Sequence, residues 1–167
     1  MSDVKLGLKK CAVLCILRHK DTFLLIRRTK EPHAGKYIPI GGKLEPFETP
    51  IDAARREIKE ETGISVEKLR FCGVMVETSP TKFNWVNFIY TSDVEFFNPP
   101  TCEEGVLEWI KISDILNIPT PTTDWYIYQY VLKNKIFMFN AIYNEKIELI
   151  ELYDEVEEKK LYFNKNI

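Results

Sequence analysis

The chain has 167 residues, of which 45% are hydrophobic and 29% charged. That is enough for one domain with its own core, and it excludes a disordered or collagen-like chain. The formal net charge is −2, which argues against a sequence-independent binder of polymeric nucleic acid. The charge is unevenly spread: residues 1–36 hold nine Lys/Arg and three Asp/Glu, the remainder fourteen and twenty-two. No apolar run approaches the ~18–20 residues of a membrane span. Cys11–Leu17 has only seven, and no small-residue cleavage site follows it, so neither a membrane partner nor a signal peptide is expected. The four cysteines, Cys11, Cys15, Cys72 and Cys102, form no CxxC and no Cys/His metal spacing. They read as buried, reduced thiols of a cytoplasmic protein.

In chain order, Cys11–Leu17 is apolar on both faces, as a central buried strand would be. Asp21-Thr22 turns the chain into a second run, Phe23–Ile26, ending in Arg27-Arg28. A polar loop with Pro32 and Gly35 leads to a short extended piece, Tyr37–Ile40, which Gly41-Gly42 is expected to break. Residues 49–62 carry the strongest helix signal. Thr49 suits the N-cap, Pro50 the first helical position and Asp52 the first turn, and Gly63 suits the stop. Ile51, Ala54 and Ile58 form one apolar stripe. Strands follow around Val66–Glu77, Phe83–Val94 and Val106–Ile110. Ser113–Leu116 reads as a short helix and Asp124–Leu132 as a second full one. Ile136–Tyr143 and Ile147–Tyr153 read as a hairpin about Asn144-Glu145. The sequence predicts one domain over residues 1–154 and a charged, frayed tail over 155–167. Mixed strands with two main helices indicate an α/β or α+β domain.

The helix places Glu57, Glu60 and Glu61 at i, i+3 and i+4, within an arc of roughly 100°. Three like charges so close oppose helix formation. A hard divalent cation would remove the conflict, since carboxylate oxygens are the ligands Mg²⁺ or Mn²⁺ prefers. The alternative is a solvated acidic face partnered by Arg55, Arg56 and Lys59. Two further features favour the metal. Gly41-Gly42 lets the backbone approach a ligand closely. Glu48 and Arg56 can pair across the loop–helix junction and orient the carboxylates from behind.

Residues 42–64, GKLEPFETPIDAARREIKEETGI, resemble the Nudix box, G-x5-E-x7-R-E-U-x-E-E-x-G-U with U a bulky aliphatic. Gly42, Glu48, Arg56, Glu57, Ile58, Glu60, Glu61, Gly63 and Ile64 meet every constrained position without a gap. The resemblance implies an α/β/α sandwich with a central mixed sheet and the box as loop–helix–loop. It implies Mg²⁺-dependent hydrolysis of a nucleoside diphosphate linked to another group. Glu57, Glu60 and Glu61 would bind metal and supply catalysis, the Gly42 carbonyl joining the shell, with Glu48 and Arg56 as supports.

Beyond the box, Glu104–Ile110 resembles the strand after the substrate loop in MutT-type members, where a loop glutamate reaches back to the metals. Glu104 is the candidate and Glu103 the reserve. Arg27 and Lys43 are candidates for the phosphates. The final third resembles the end of the oxidised-purine-nucleotide hydrolases, and Asp124 matches an Asp that can bind the base edge there. Two departures stand out: Ile38 replaces an Asn before the Gly-Gly-Lys, and Pro121-Thr122-Thr123-Asp124 replaces Trp-Pro-Asp-Asp. Tyr37, Phe83, Trp85 and Trp125 are candidate stacking partners for a base, and no role is assigned to His19 or His33. The expected activity is therefore that of an 8-oxo-dGTP diphosphatase or a related enzyme, working as a monomer or homodimer. The alternatives are a Nudix pyrophosphatase for ADP-ribose or a nucleotide sugar, and a non-catalytic nucleotide sensor.

Overall fold

The computed structural model describes residues 5–167. Ten strands and two helices follow one another as β1 (Lys10–His19), β2 (Thr22–Arg28), β3 (Tyr37–Ile38), β4 (Ile40–Lys43), α1 (Pro50–Thr62), β5 (Arg70–Thr78), β6 (Trp85–Asp93), β7 (Gly105–Lys111), α2 (Thr122–Leu132), β8 (Phe137–Tyr143), β9 (Leu149–Asp154) and β10 (Lys159–Phe163). The sheet runs β10-β9-β8-β5-β6-β1-β2-β3, with β4 added on β1 and β7 on β2. It is mixed: β1 is parallel to β6 and β5 to β8, while the other pairs are antiparallel.

Strand alternation divides the apolar residues between two helices. Val13, Cys15 and Leu17 of β1, with Leu24 and Ile26 of β2, pack against Ala53, Ala54 and Ile58 of α1. Leu14 and Ile16, with Phe23 and Leu25, belong to the opposite core, which contains Ile127, Tyr128, Tyr130 and Val131 of α2. This is the expected α/β/α sandwich, and it explains why β1 reads as apolar on both faces. The helix termini also follow the sequence. The Thr49 hydroxyl oxygen accepts from the Asp52 amide at 3.3 Å. Gly63 ends the helix with φ 78°, in the left-handed region where a side chain would be strained.

Three expectations fail. Gly41-Gly42 does not break the extended piece but pairs with Leu14 and Val13 of β1. A Cβ on Gly41 would lie 2.0 Å from the Val13 carbonyl oxygen, so glycine serves close packing here rather than a turn. Residues 113–116 form turns and not a helix, because the segment is too short to propagate one. The charged tail does not fray: after a turn, β10 pairs antiparallel with β9. Its charged block, residues 157–160, is followed by the apolar run Leu161–Phe163. Lys160 meets Glu151 at 2.7 Å, and Leu161 and Tyr162 pack on the α2-side core.

Candidate active site

The apolar stripe of α1 fixes how the helix lies on β1 and β4, and this aims its other side chains. Glu57 points back at Gly42, where a Cβ would come within 2.3 Å of Glu57 Oε1. Arg56 is the organiser. Its Nε and Nη2 donate to the two oxygens of Glu48 at 2.7 and 2.9 Å, a bidentate fork. Nη1 donates to Glu57 Oε1 at 2.8 Å and to Glu60 Oε2 at 3.3 Å, and Nη2 also donates to the Lys43 carbonyl at 3.0 Å. The Glu45 amide completes Glu48, donating to its Oε2 at 2.9 Å. The helix, β4 and the intervening loop are thus tied at one guanidinium.

Electrostatics mark the carboxylates as a strained set. Burial pushes Glu57 above the usual range, against the pull of Arg56. Burial pushes Glu61 up to about 8, with Glu104, Glu57 and Glu60 adding to the rise. Glu61 Oε2 is buried and has no hydrogen-bond partner. Glu60 is the exposed member, at 57%. Glu104 lies in the loop before β7 and pairs with Arg28 Nη1 at 3.3 Å. Its charge reaches both Glu57 and Glu61. Among the described residues, no three acidic, histidine or cysteine side chains enclose an ion as they stand, and Arg56 holds two of the candidates. The chemistry of the set nevertheless fits a hard divalent cation. It offers several oxygen donors, one of them orphaned, and a glycine that leaves room beside Glu57.

A cleft of ≈ 1100 Å³ extends from Gly42, Glu57, Arg56 and Glu104 to an apolar end. Lys43, Ile38 and Asp124, all expected near the substrate, line it. Asp124 is buried, 7% exposed. Desolvation and then the charge of Glu77 push its carboxyl up to about 8, while Lys36 opposes this. Of the candidate stacking residues, Phe83 and Trp85 line the cleft. Tyr37 does not: its ring hydroxyl faces Glu108 and Arg27. Nor does Trp125, whose indole donates to the Leu116 carbonyl at 3.0 Å and packs edge-on to Tyr126.

Arg27 is also elsewhere. It pairs with Glu108 of β7 at 2.9 Å, and the neighbouring Arg28 takes the place expected of it in the cleft. Alternation could have settled the choice. Arg28 shares the face of Leu24 and Ile26, which pack on α1, whereas Arg27 shares the face of Phe23 and Leu25. Glu103 is exposed. His19 packs against Phe96 and Trp109, while His33 borders the cleft beside the basic residues Arg28 and Lys36. Glu77, Asn87 and Tyr143, which no motif indicated, line the apolar end.

A family model described as NUDIX domain matches residues 8–131. The uncharacterized Nudix hydrolase YvcI of Bacillus subtilis (strain 168) is 29% identical over 142 residues, covering 81% of this chain and 88% of that protein. Phosphatase NudJ of Escherichia coli (strain K12) is 29% identical over 107 residues, covering 62% of this chain and 69% of its own. The crystal structure of the MutT protein from Bacillus halodurans superposes with a TM-score of 0.79 at 25% identity, covering 88% of this chain and 98% of that one. The family match takes in the whole box, the strands around it and nearly all of α2. The chain therefore belongs to the Nudix family, as a Nudix pyrophosphohydrolase.

Proposed function

We propose that the protein hydrolyses the pyrophosphate linkage of a nucleoside or deoxynucleoside triphosphate, releasing a monophosphate and pyrophosphate. An oxidised purine nucleotide such as 8-oxo-dGTP is the favoured substrate. One observation carries the reading: a single cleft joins Glu57 of the box and Glu104 to an end with the rings of Phe83, Trp85 and Tyr143 and the buried Asp124. A nucleotide has the matching polarity, phosphates at one end and a flat heterocycle at the other. Glu57, Glu60, Glu61 and Glu104, with the Gly42 carbonyl, would hold Mg²⁺ or Mn²⁺. Bound there, the ion would neutralise phosphate charge and orient a water.

The chain's own residues do the rest. Arg56, locked to Glu48, keeps Glu57 and Glu60 aimed. Lys43 and Arg28 face the phosphates from the cleft wall. A carboxylate of the set accepts the proton of the attacking water as its oxygen bonds to phosphorus and the phosphoanhydride bond breaks. Ile38 and Asp124 contact the base, with Asp124 on its polar edge. All four cysteines are free thiols, though only Cys15 and Cys72 are buried as expected, Cys11 being exposed at the start of β1 and Cys102 half-buried. Free thiols fit a reducing compartment such as the cytoplasm. No described helix is long and apolar enough to cross a membrane.

The test is turnover of a nucleotide panel with Mg²⁺, following phosphate products, together with Glu60→Gln. Triphosphates should give monophosphate and pyrophosphate, and the variant should nearly abolish this. Turnover of ADP-ribose but of no triphosphate would overturn the substrate reading. Undiminished turnover by the variant would overturn the metal site.

A further inference from the structure

The apolar end of the cleft holds a second acid besides Asp124. Glu77 of β5 is 8% exposed, yet it lines the cleft. Its strand register sets it opposite Trp85 of β6, with Met75 opposite Asn87. These four side chains therefore share one face of the sheet. Asn87 Nδ2 donates to Glu77 Oε2 at 2.9 Å, and the Tyr143 hydroxyl donates to Glu77 Oε1 at 2.8 Å. Tyr143 is in turn held edge-on by Phe83, with centroids 5.3 Å apart.

A carboxylate in such a place is costly unless it is satisfied. Here each oxygen accepts one donor and retains a further lone pair. In both contacts a Glu77 oxygen accepts. Burial pushes the carboxyl above its usual range, and Tyr143, Asn87 and the charge of Lys9 oppose that rise. The same buried carboxylate could have been an apolar residue of similar volume, which at a site serving packing alone would be neutral or better. Its position beside Phe83, Trp85 and Tyr143, which line the same cleft, places an acceptor among aromatic rings, with the Lys10 ammonium over the Trp85 ring at 4.1 Å. Asp124 contributes a second buried carboxyl to the same cleft.

We infer that Glu77 is a specificity-determining residue that accepts hydrogen bonds from the exocyclic amine of the nucleobase, so that the cleft selects amino-bearing bases over their des-amino counterparts. Asn87 and Tyr143 act as positioning residues that hold its carboxylate in the ring plane. The inference rests on the reading of the cleft as a nucleotide site. It concerns base choice and is independent of the hydrolytic step. A site built around a hydrogen bond to such a group rejects the analogue lacking it, because its own buried polar atom is left without a partner.

The experiment measures binding, with no metal and no turnover required. Calorimetry compares guanosine and inosine 5′-monophosphate, which differ only in the exocyclic amine, on the wild type and on Glu77→Gln. The wild type should bind the guanosine nucleotide about ten- to hundredfold more tightly, as expected for a hydrogen bond to a carboxylate. E77Q should bring the two dissociation constants within about threefold, mainly by weakening the guanosine nucleotide. No preference in the wild type, or a preference that persists in E77Q, would overturn the assignment, as would equal weakening of both ligands. Tyr143→Phe removes one positioning donor and leaves the carboxylate, so it serves if E77Q does not fold. It should retain most of the preference, and complete loss would assign recognition to the hydroxyl instead. Should the monophosphates bind as expected while triphosphates are not hydrolysed, the hydrolytic reading alone fails.

Discussion

Gly42→Ala separates the function of the box from its fold. A Cβ at residue 42 would lie 2.3 Å from Glu57 Oε1, 2.6 Å from Cδ and 2.8 Å from Oε2. Contacts below about 3.0 Å are not tolerated, so the carboxylate must retreat by at least about 0.7 Å. The obstructed atoms are all at the end of a flexible side chain, and the backbone at residue 42 needs no positive φ. Stability should therefore change by no more than about 1 kcal/mol, within the range of an ordinary tolerated substitution. Activity should not be spared. Glu57 can retreat only by disturbing its 2.8 Å bond to Arg56, which also holds Glu48 and Glu60. A displacement approaching 1 Å in a positioning group costs on the order of 10²-fold, about 2.7 kcal/mol of barrier. The assay pairs kcat/KM for Mg²⁺-dependent nucleotide hydrolysis with a thermal melt. Gly41→Ala supplies the contrast, because its Cβ would meet the Val13 carbonyl oxygen at 2.0 Å, and backbone cannot swing aside. That variant should lose about 2 kcal/mol or more of stability. Wild-type turnover in folded G42A would refute the claim that this glycine exists to leave room for Glu57.

Glu48→Gln halves the fork on Arg56 and should lower kcat about ten- to hundredfold, the usual effect of removing a group that orients metal ligands, with KM little changed. Arg28→Ala should raise KM for nucleotide substrates, whereas Arg27→Ala, across the strand from the cleft, should leave kinetics near wild type. Comparable defects in both would contradict the facial assignment. Asp124 supplies a pH test. Its carboxyl stands at about 8 in the folded protein against an ordinary 3.8. A raised carboxyl contributes stability that is fully present below about pH 4 and is lost as pH rises through about 8. Metal-free protein should therefore melt at lower temperature as pH rises across that window, and Asp124→Asn should flatten the slope by removing the titrating group. An unchanged slope would show that Asp124 is solvated or paired in solution.

The parts of the structure that local chemistry specifies were legible from residues alone. Thr49, Pro50 and Gly63 bound α1 where their capping chemistry demands, and the contiguous box brings its residues together through one helix. The parts set by distant contacts were not. Nothing in the sequence near Gly41-Gly42 shows that β1 will lie within van der Waals reach, so the pair read as a break and not as a paired strand. The charged tail read as frayed because its pairing partner β9 and the α2-side core lie outside any local window. Arg28 was recoverable, since its face follows from alternation with Leu24 and Ile26. Glu77, Asn87 and Tyr143 come from three strands, and only the register between those strands assembles them.

The two ends of the cleft use acidic residues in opposite ways, and the difference follows from what surrounds them. At the box end, Glu57 and Glu60 share one cation, Arg56, and Glu61, which Arg56 does not reach, keeps an oxygen without a partner. Repulsion among like charges there is incompletely relieved, which is the condition under which a bound divalent ion contributes most. At the apolar end, Glu77 is satisfied by two neutral donors and has no need of a counter-ion in the cleft. An acid held in that way can discriminate by hydrogen-bond direction, because Asn87 and Tyr143 favour its acceptor form against the cost of burial before a ligand arrives. A net charge of −2 conceals both arrangements. Charge total bounds the class of partner, whereas the partners already made by each carboxylate determine whether it serves a metal ion or a heterocycle.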